Sequence, residues 1–336
     1  MDKNERAEQN HKEDAKHQHQ DGYEYKVGLV VEGGGTKIAY SAGVLQAFLE
    51  KKVYFPYSVG ISSGSEVLLA YVSRQIERLR VTTLDAASQK GAIGLVPLFK
   101  EGGLFGLEAT NKYIEEHAPL DFMAFFGSST EMEIGVYDMD ENRVEYFGKP
   151  YVDENMTLIK ASCALLLLAR PYKWRGKRYF DAGLVDMISV QRALDAGCEK
   201  IVVLSTKEKG YRRKPAPKWQ IWLAKLIYRD PKIVSHLKNR HISYQQQWDL
   251  IDRLEEEGRA IVLRPSKDMG VTRYTTDPTK LEPWYQLGVD ETYERMDEIL
   301  RFCGDGCLRE DDNARASVES NPKICANMVK NTLEQV

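Results

Sequence analysis

Short apolar runs alternate with longer amphipathic stretches along most of this chain. Runs rich in Val, Ile, Leu, Tyr and Phe fall at residues 25–31, 57–61, 131–138, 143–148, 177–181, 200–205 and 259–264, and each reads as a strand. Asp138 to Glu141 and Arg175-Gly176-Lys177 interrupt the apolar pattern as hairpin turns would. Between strands the period changes to that of a helix: from Ala39 to Glu50, Val44, Leu45 and Phe48 fall on one face. This alternation predicts an α/β fold, a mostly parallel sheet flanked by helices on both faces. Residues 83 to 128, with many Gly, Leu and Phe, carry no clear period, and are expected to form either a lid or pocket wall or an ordinary insertion. Residues 1–22 are polar and lack the apolar centre of a signal peptide, so they read as a disordered tail, as do residues 303–336. Between the tails, 23–206 reads as the core, and 207–302 as a C-terminal part with a basic amphipathic helix, a final strand and helices.

Composition narrows the partners. Hydrophobic residues make up 43% of the 336, enough for a substantial core. The net charge of −3 gives the whole chain no field that would draw nucleic acid, so no nucleic-acid partner is expected. Five cysteines, Cys163, Cys198, Cys303, Cys307 and Cys325, have neither zinc-site nor disulfide-framework spacing, which predicts reduced thiols, no metal and a cytoplasmic setting. His11, His17 and His19 belong to the polar tail. No apolar run approaches the roughly 18–20 residues of a membrane span.

Three segments carry chemistry. Gly60-Ile61-Ser62-Ser63-Gly64 joins the run Tyr57-Ser58-Val59 to a helix-like stretch from Glu66 to Val72. Strand, tight turn and helix are the context in which a serine nucleophile is held up at a sheet end, next to a helix N-terminus that favours negative charge. Glu32-Gly33-Gly34-Gly35-Thr36-Lys37 follows the first strand and leads into a helix, which leaves backbone N–H groups free to meet an anion or oxyanion. It lacks the Gly-Lys-Ser/Thr of a P-loop, which ranks a nucleotide-binding reading last. Tyr179-Phe180-Asp181-Ala182-Gly183-Leu184 puts a carboxylate at the end of an apolar strand. A serine needs a base. Of the histidines outside the tail, His117, His236 and His241, only the last two follow in the Ser, Asp, His order of an esterase triad, and that reading stays open.

In this order the three segments resemble the patatin-like phospholipase family, in its bacterial branch. The family pattern of Gly-Gly-Gly-x-Arg/Lys-Gly, Gly-x-Ser-x-Gly and Asp-Gly-Gly/Ala is matched by Gly33 to Ile38, Gly60 to Gly64 and Asp181 to Gly183. Ala161-Ser162-Cys163-Ala164-Leu165, Gln191-Arg192-Ala193-Leu194 and the Ile261 to Pro265 strand extend it over roughly residues 24 to 302. The resemblance implies a three-layer α/β architecture and a lipid acyl ester hydrolase without a cofactor. It also implies a Ser62–Asp181 dyad, oxyanion donors at Gly33, Gly34 and Gly35, and a lipid or lysophospholipid substrate. Lys37, at the family's Arg/Lys position, would brace the loop or meet a phosphate. Two positions depart. Ile38 and Ala182 stand where the pattern has glycine, and a positive φ at either would strain a residue that carries a Cβ. That departure favours an alternative in which the fold is kept as a non-catalytic lipid- or membrane-binding protein.

The stretch from 207 to 240 is separately unusual, with eleven Lys or Arg opposed only by Glu208 and Asp230. Within it Trp219, Trp222, Leu223, Leu226 and Ile227 recur at helical spacing among Lys218, Lys225 and Arg229. Such a helix either packs on its own domain with a solvated basic side or lies on an anionic membrane, here the inner face. In the second case Trp219, Trp222, Lys218, Lys225 and Arg229 make the contact.

Overall fold

The computed structural model of this protein describes residues 25–307; the tail expected at 1–22, and all residues after 307, lie outside the described residues. Eight strands form one sheet: β1 (Val27–Val31), β2 (Tyr57–Ile61), β3 (Glu131–Asp138), β4 (Arg143–Gly148), β5 (Tyr172–Trp174), β6 (Lys177–Asp181), β7 (Lys200–Leu204) and β8 (Ala260–Leu263). The helices are α1 (Ala39–Glu50), α2 (Ser63–Val72), α3 (Ile76–Arg80), α4 (Leu95–Glu101), α5 (Leu107–His117), α6 (Phe122–Gly127), α7 (Thr157–Cys163), α8 (Val190–Asp195), α9 (Lys218–Tyr228), α10 (Pro231–Glu256), α11 (Pro278–Glu294) and α12 (Met296–Cys303). The α/β reading holds, and α4, α5 and α6 fill about half of residues 83–128, the stretch without a clear period. The last helix reaches Cys303, which is buried, so the end expected to be disordered from 303 begins as packed structure.

Strands β8, β7, β1, β2 and β3 lie side by side and parallel, and β4, β5 and β6 add antiparallel pairings. The central strands are nearly all apolar because both faces are covered. Val27, Leu29 and Val31 of β1 point to one core, with residues of α1, α2 and α11; Val30 points to the other, with Tyr244, Trp248, Ile251 and Leu254 of α10. This period of two makes three layers, helices over sheet over helices. Helices α1 and α11 cross backbone to backbone. A Cβ on Gly43 would lie 2.1 Å from the Tyr285 carbonyl oxygen, and one on Gly288 2.1 Å from that of Tyr40.

Strand β3 is where distant parts of the chain converge. One edge of β3 is taken by β4. The other edge is shared: β2 pairs with its first part, ending at Ile61 opposite Gly135, and β6 pairs with its last part, ending at Asp181 opposite Val136. Since β2 runs parallel to β3 and β6 antiparallel, the two strands meet head-on at their C-terminal ends. Ser62 and Asp181, 119 positions apart in sequence, are thereby brought to one spot.

Candidate active site

Ser62 follows β2 directly and caps α2. Its backbone is at φ 56 and ψ −136, a conformation that L-residues avoid and that turns the side chain out of the sheet. The flanking glycines make the turn sterically possible. A Cβ on Gly60 would stand 2.7 Å from the Ser65 nitrogen, and one on Gly64 2.5 Å from the Val31 carbonyl oxygen. From α7, Ser162 fastens the elbow: its Oγ accepts the Ser62 N–H at 2.8 Å and donates to the Gly135 carbonyl at 2.8 Å. In the sequence Ala161-Ser162-Cys163 carries only a likeness, and this hydrogen bond gives Ser162 a physical role.

Asp181 is buried, and its Oδ1 accepts the Gly183 N–H at 2.7 Å. Burial raises its carboxyl above the ordinary value of 3.8; the Gly183 N–H, Arg240, the Ser62 hydroxyl and Arg273 oppose that rise. The Ser62 hydroxyl thus lies close enough to bear on both the Asp181 carboxyl and the Cys163 thiol, without a hydrogen bond of regular geometry to either. Contacts of this kind commonly tighten only once a substrate is bound. Asp186 faces elsewhere, accepting a hydrogen bond from the Tyr146 hydroxyl.

The glycine loop runs past the elbow. Gly34 N–H donates to Ser63 Oγ at 3.1 Å, so one of the three expected oxyanion donors ties the loop to α2, and the Gly33 and Gly35 N–H groups have no acceptor among the described residues. Glu32, at the base of the loop, is buried and fully engaged: it accepts from Ser205 Oγ at 2.6 Å, Thr206 N–H at 2.9 Å and Tyr244 Oη at 2.8 Å. Gly33, Gly34, Gly35, Ser62 and Asp181 line one cleft that opens to solvent.

Several expectations need correction. Lys37 does not line the cleft, as a phosphate contact would require; it is buried 4.0 Å from Glu208 and lies over the Trp284 ring, which leaves the bracing alternative. Ile38 has φ −59 and is packed in the core, and Ala182 opens a 3-10 turn without a positive φ, so neither is strained. These two positions therefore give no ground for lost catalysis. Among the described residues no histidine lines the cleft. His236 packs edge-on against Tyr137, His241 Nδ1 is buried without a hydrogen-bond partner, and His117 stacks on Tyr113. The structure therefore gives the triad reading no base beside Ser62.

Sequence reasoning missed the charge lining the cleft. Lys207, Arg213, Arg240 and Arg273 all face it. Burial lowers the Lys207 ammonium to about 8, with Lys37, Arg273 and Arg213 adding to the effect and Glu32 opposing it. Arg240 Nε donates to the Gly183 carbonyl at 2.5 Å, which sets that guanidinium beside Asp181. Three of the four belong to the basic stretch from 207 to 240, whose charge was expected to face outward. In α9 it does: Trp219 and Trp222 are 61% and 64% exposed, with Lys218, Lys225 and Arg229 exposed around them, while Ala224 packs inward.

The model of the family described as patatin-like phospholipase matches residues 29–194. Those residues form a patatin-like phospholipase domain. A second family, a domain of unknown function (DUF6363), matches residues 230–304. The chain is 23% identical over 270 residues to the uncharacterized protein YjjU of Escherichia coli (strain K12), covering 78% of this chain and 75% of that protein. Its fold also aligns with the crystal structure of VipD from Legionella pneumophila, at 12% identity and a TM-score of 0.40, over 93% of this chain and 77% of the other. So low a score bears on neither mechanism nor substrate. The patatin-like domain supports a place among lipid hydrolases, and no helix among the described residues is long and apolar enough to cross a membrane.

Proposed function

We propose that this protein hydrolyses carboxylic esters of lipids through a Ser62–Asp181 dyad. The observation that carries the reading is the head-on meeting of β2 and β6, which sets a strained serine against a buried carboxylate beside a loop that keeps the Gly33 and Gly35 N–H groups free. Asp181 accepts the Ser62 proton as Oγ attacks the acyl carbon. The resulting oxyanion meets the Gly33 and Gly35 N–H groups and the α2 N-terminus, and each such donor is worth about 3 kcal/mol of barrier. Asp181 then returns the proton to the departing alkoxide. Water, deprotonated by the same carboxylate, releases the acid and restores the serine. Burial of Asp181 raises its basicity, which improves proton transfer near neutral pH.

In this reading α9 brings the cleft to its substrate, with Trp219 and Trp222 set into an anionic lipid surface and Lys218, Lys225 and Arg229 on its head groups. Helix α4 offers a second apolar set, with Leu95 67% and Phe99 84% exposed. A segment joins the two: Leu104 N–H donates to the Leu168 carbonyl, and Leu167 N–H donates to Tyr228 Oη of α9. Leu165, in the same segment, lines the cleft. A cytoplasmic protein at the inner face of the membrane fits these features. The test is labelling with a fluorophosphonate ester probe: wild type should be labelled and Ser62→Ala should not. Equal labelling of the two, or none of either, would refute the dyad.

A further inference from the structure

The cleft holds more positive charge than hydrolysis of a neutral ester calls for. Lys207, Arg213, Arg240 and Arg273 face two carboxylates, Glu32 and Asp181, which offset only part of their charge. Glu32 has three hydrogen bonds of its own, and Asp181 is the base. Among the described residues none of the four cations forms an ion pair. Their placement brackets the chemistry. Arg240 is anchored to Gly183, two residues past Asp181, whereas the Arg273 backbone packs on the glycine loop: its carbonyl accepts the Thr36 N–H at 3.3 Å and would lie 2.6 Å from a Cβ on Gly35. Like charges gathered in a half-buried site repel one another, and an arriving anion relieves that repulsion. Guanidinium groups also present forked donors matched to phosphate and carboxylate oxygens. Among the described residues no aromatic side chain lines the cleft to receive a quaternary ammonium.

We propose that Lys207, Arg213, Arg240 and Arg273 form a head-group subsite that selects ester lipids carrying a net negative, terminal phosphate or carboxylate over zwitterionic and neutral ones. This deepens the ester-hydrolase reading and rests on it for turnover, though not for binding. All four cations lie beyond the part of the chain that matches the patatin-like family model, and Arg240 and Arg273 fall within the domain of unknown function, which so acquires a role in specificity.

The experiment uses the full chain carrying Ser62→Ala, so that nothing is consumed. Isothermal titration compares four probes: a short-chain ether-linked lysophosphatidate, the matching lysophosphatidylcholine, the matching monoalkylglycerol and inorganic phosphate. The lysophosphatidate should bind at least tenfold more tightly than each of the other three, and its advantage should shrink as salt is raised. Arg213→Gln with Arg273→Gln should cut that advantage at least tenfold. Arg273→Gln alone, a half-buried side chain with no hydrogen bond of its own among the described residues, should cut it at least threefold and covers the case in which the double variant fails to fold. Equal binding of the phosphate and choline probes, an advantage that survives both variants, or no binding of any probe would overturn the subsite. Inorganic phosphate binding as tightly as the lysophosphatidate would make it a free-anion site and overturn the head-group assignment. Absence of fluorophosphonate labelling in the wild type, with the binding preference intact, would refute the hydrolase reading and leave the subsite standing.

Discussion

Replacing Ser62 by glycine should stabilise the fold relative to replacing it by alanine. At φ 56 and ψ −136 the residue occupies a region that costs a Cβ-bearing residue about 1–3 kcal/mol and glycine almost nothing. Alanine keeps the Cβ and so keeps the strain. Glycine releases it, but gains freedom in the unfolded chain worth about 0.5–1 kcal/mol against folding. Contacts of Oγ with Asp181 and Cys163 vanish in both variants and cancel. The difference should therefore be about 0.5–2 kcal/mol in favour of Ser62→Gly. Urea unfolding followed by tryptophan fluorescence and by far-ultraviolet circular dichroism measures it, provided that the slope is the same for both proteins. Both variants lack the Ser62 hydroxyl, so acylation there cannot bias the comparison. If Ser62→Gly unfolds at the same urea concentration as Ser62→Ala or earlier, the elbow stores no strain and the reasoning from backbone conformation is wrong.

Further outcomes rest on Asp181 and on α9. Asp181→Asn should lower kcat/KM by about 10³-fold, since an amide cannot take the serine proton. Burial raises the Asp181 carboxyl, so its ionised form costs stability as pH rises through that raised value, and costs nothing below the ordinary 3.8. The variant should accordingly melt above wild type at pH 7 and level with it near pH 3, and wild-type activity should fall as acid protonates the base; a variant less stable at pH 7 would contradict this. Binding to anionic vesicles should weaken when Lys218, Lys225 and Arg229 become Glu, by about 1 kcal/mol or more for each cation at low salt, and should weaken in Trp219→Ala with Trp222→Ala even at high salt. Co-sedimentation measures both, and equal sedimentation of wild type and variants would make α9 an ordinary solvated helix.

Strands were legible where an apolar run is long enough to have a period. The spans expected for β2, β3, β4 and β6 agree with the structure to the residue, and those for β1, β7 and β8 within two residues at either end. Strand β5 has three residues, too few for any period, and only the Arg175-Gly176 turn hinted at it. Helices α4 and α5 were hidden because glycines at 91, 94, 102, 103 and 106 break the stretch into pieces shorter than a clear amphipathic pattern. Ser62, Asp181 and the glycine loop each declare themselves through local backbone demands, and the structure brings all three to one cleft. The cations do not. A run of Lys and Arg gives charge but no direction, and whether each points to solvent or inward depends on partners far along the chain. Lys218, Lys225 and Arg229 point outward, while Lys207, Arg213 and Arg240 point into the cleft. Arg273 stood in a segment with no pattern at all. A signal was available in retrospect: Glu208 and Asp230 cannot balance so much charge, and a second family boundary near residue 230 would have split the stretch in two.

Glu32 sets a limit on how this molecule can be divided. Its carboxylate is buried at the base of the glycine loop, and every hydrogen bond it accepts comes from Ser205, Thr206 or Tyr244, beyond the last residue of the patatin-like match. A chain ending at residue 194 would also leave β1, the middle of the sheet, without β7 along one edge. It would also uncover the apolar face that Tyr244, Trp248, Ile251 and Leu254 bury against Val30 and Val59, and burial of each such side chain is worth about 1.5–3 kcal/mol, a large part of what holds an ordinary domain together. Residues 29–194 are thus not expected to fold on their own. During synthesis Ser62, Asp181 and the glycine loop all leave the ribosome before the segments that lock them in place, so an unfinished chain would carry the pieces of the cleft without the cleft itself.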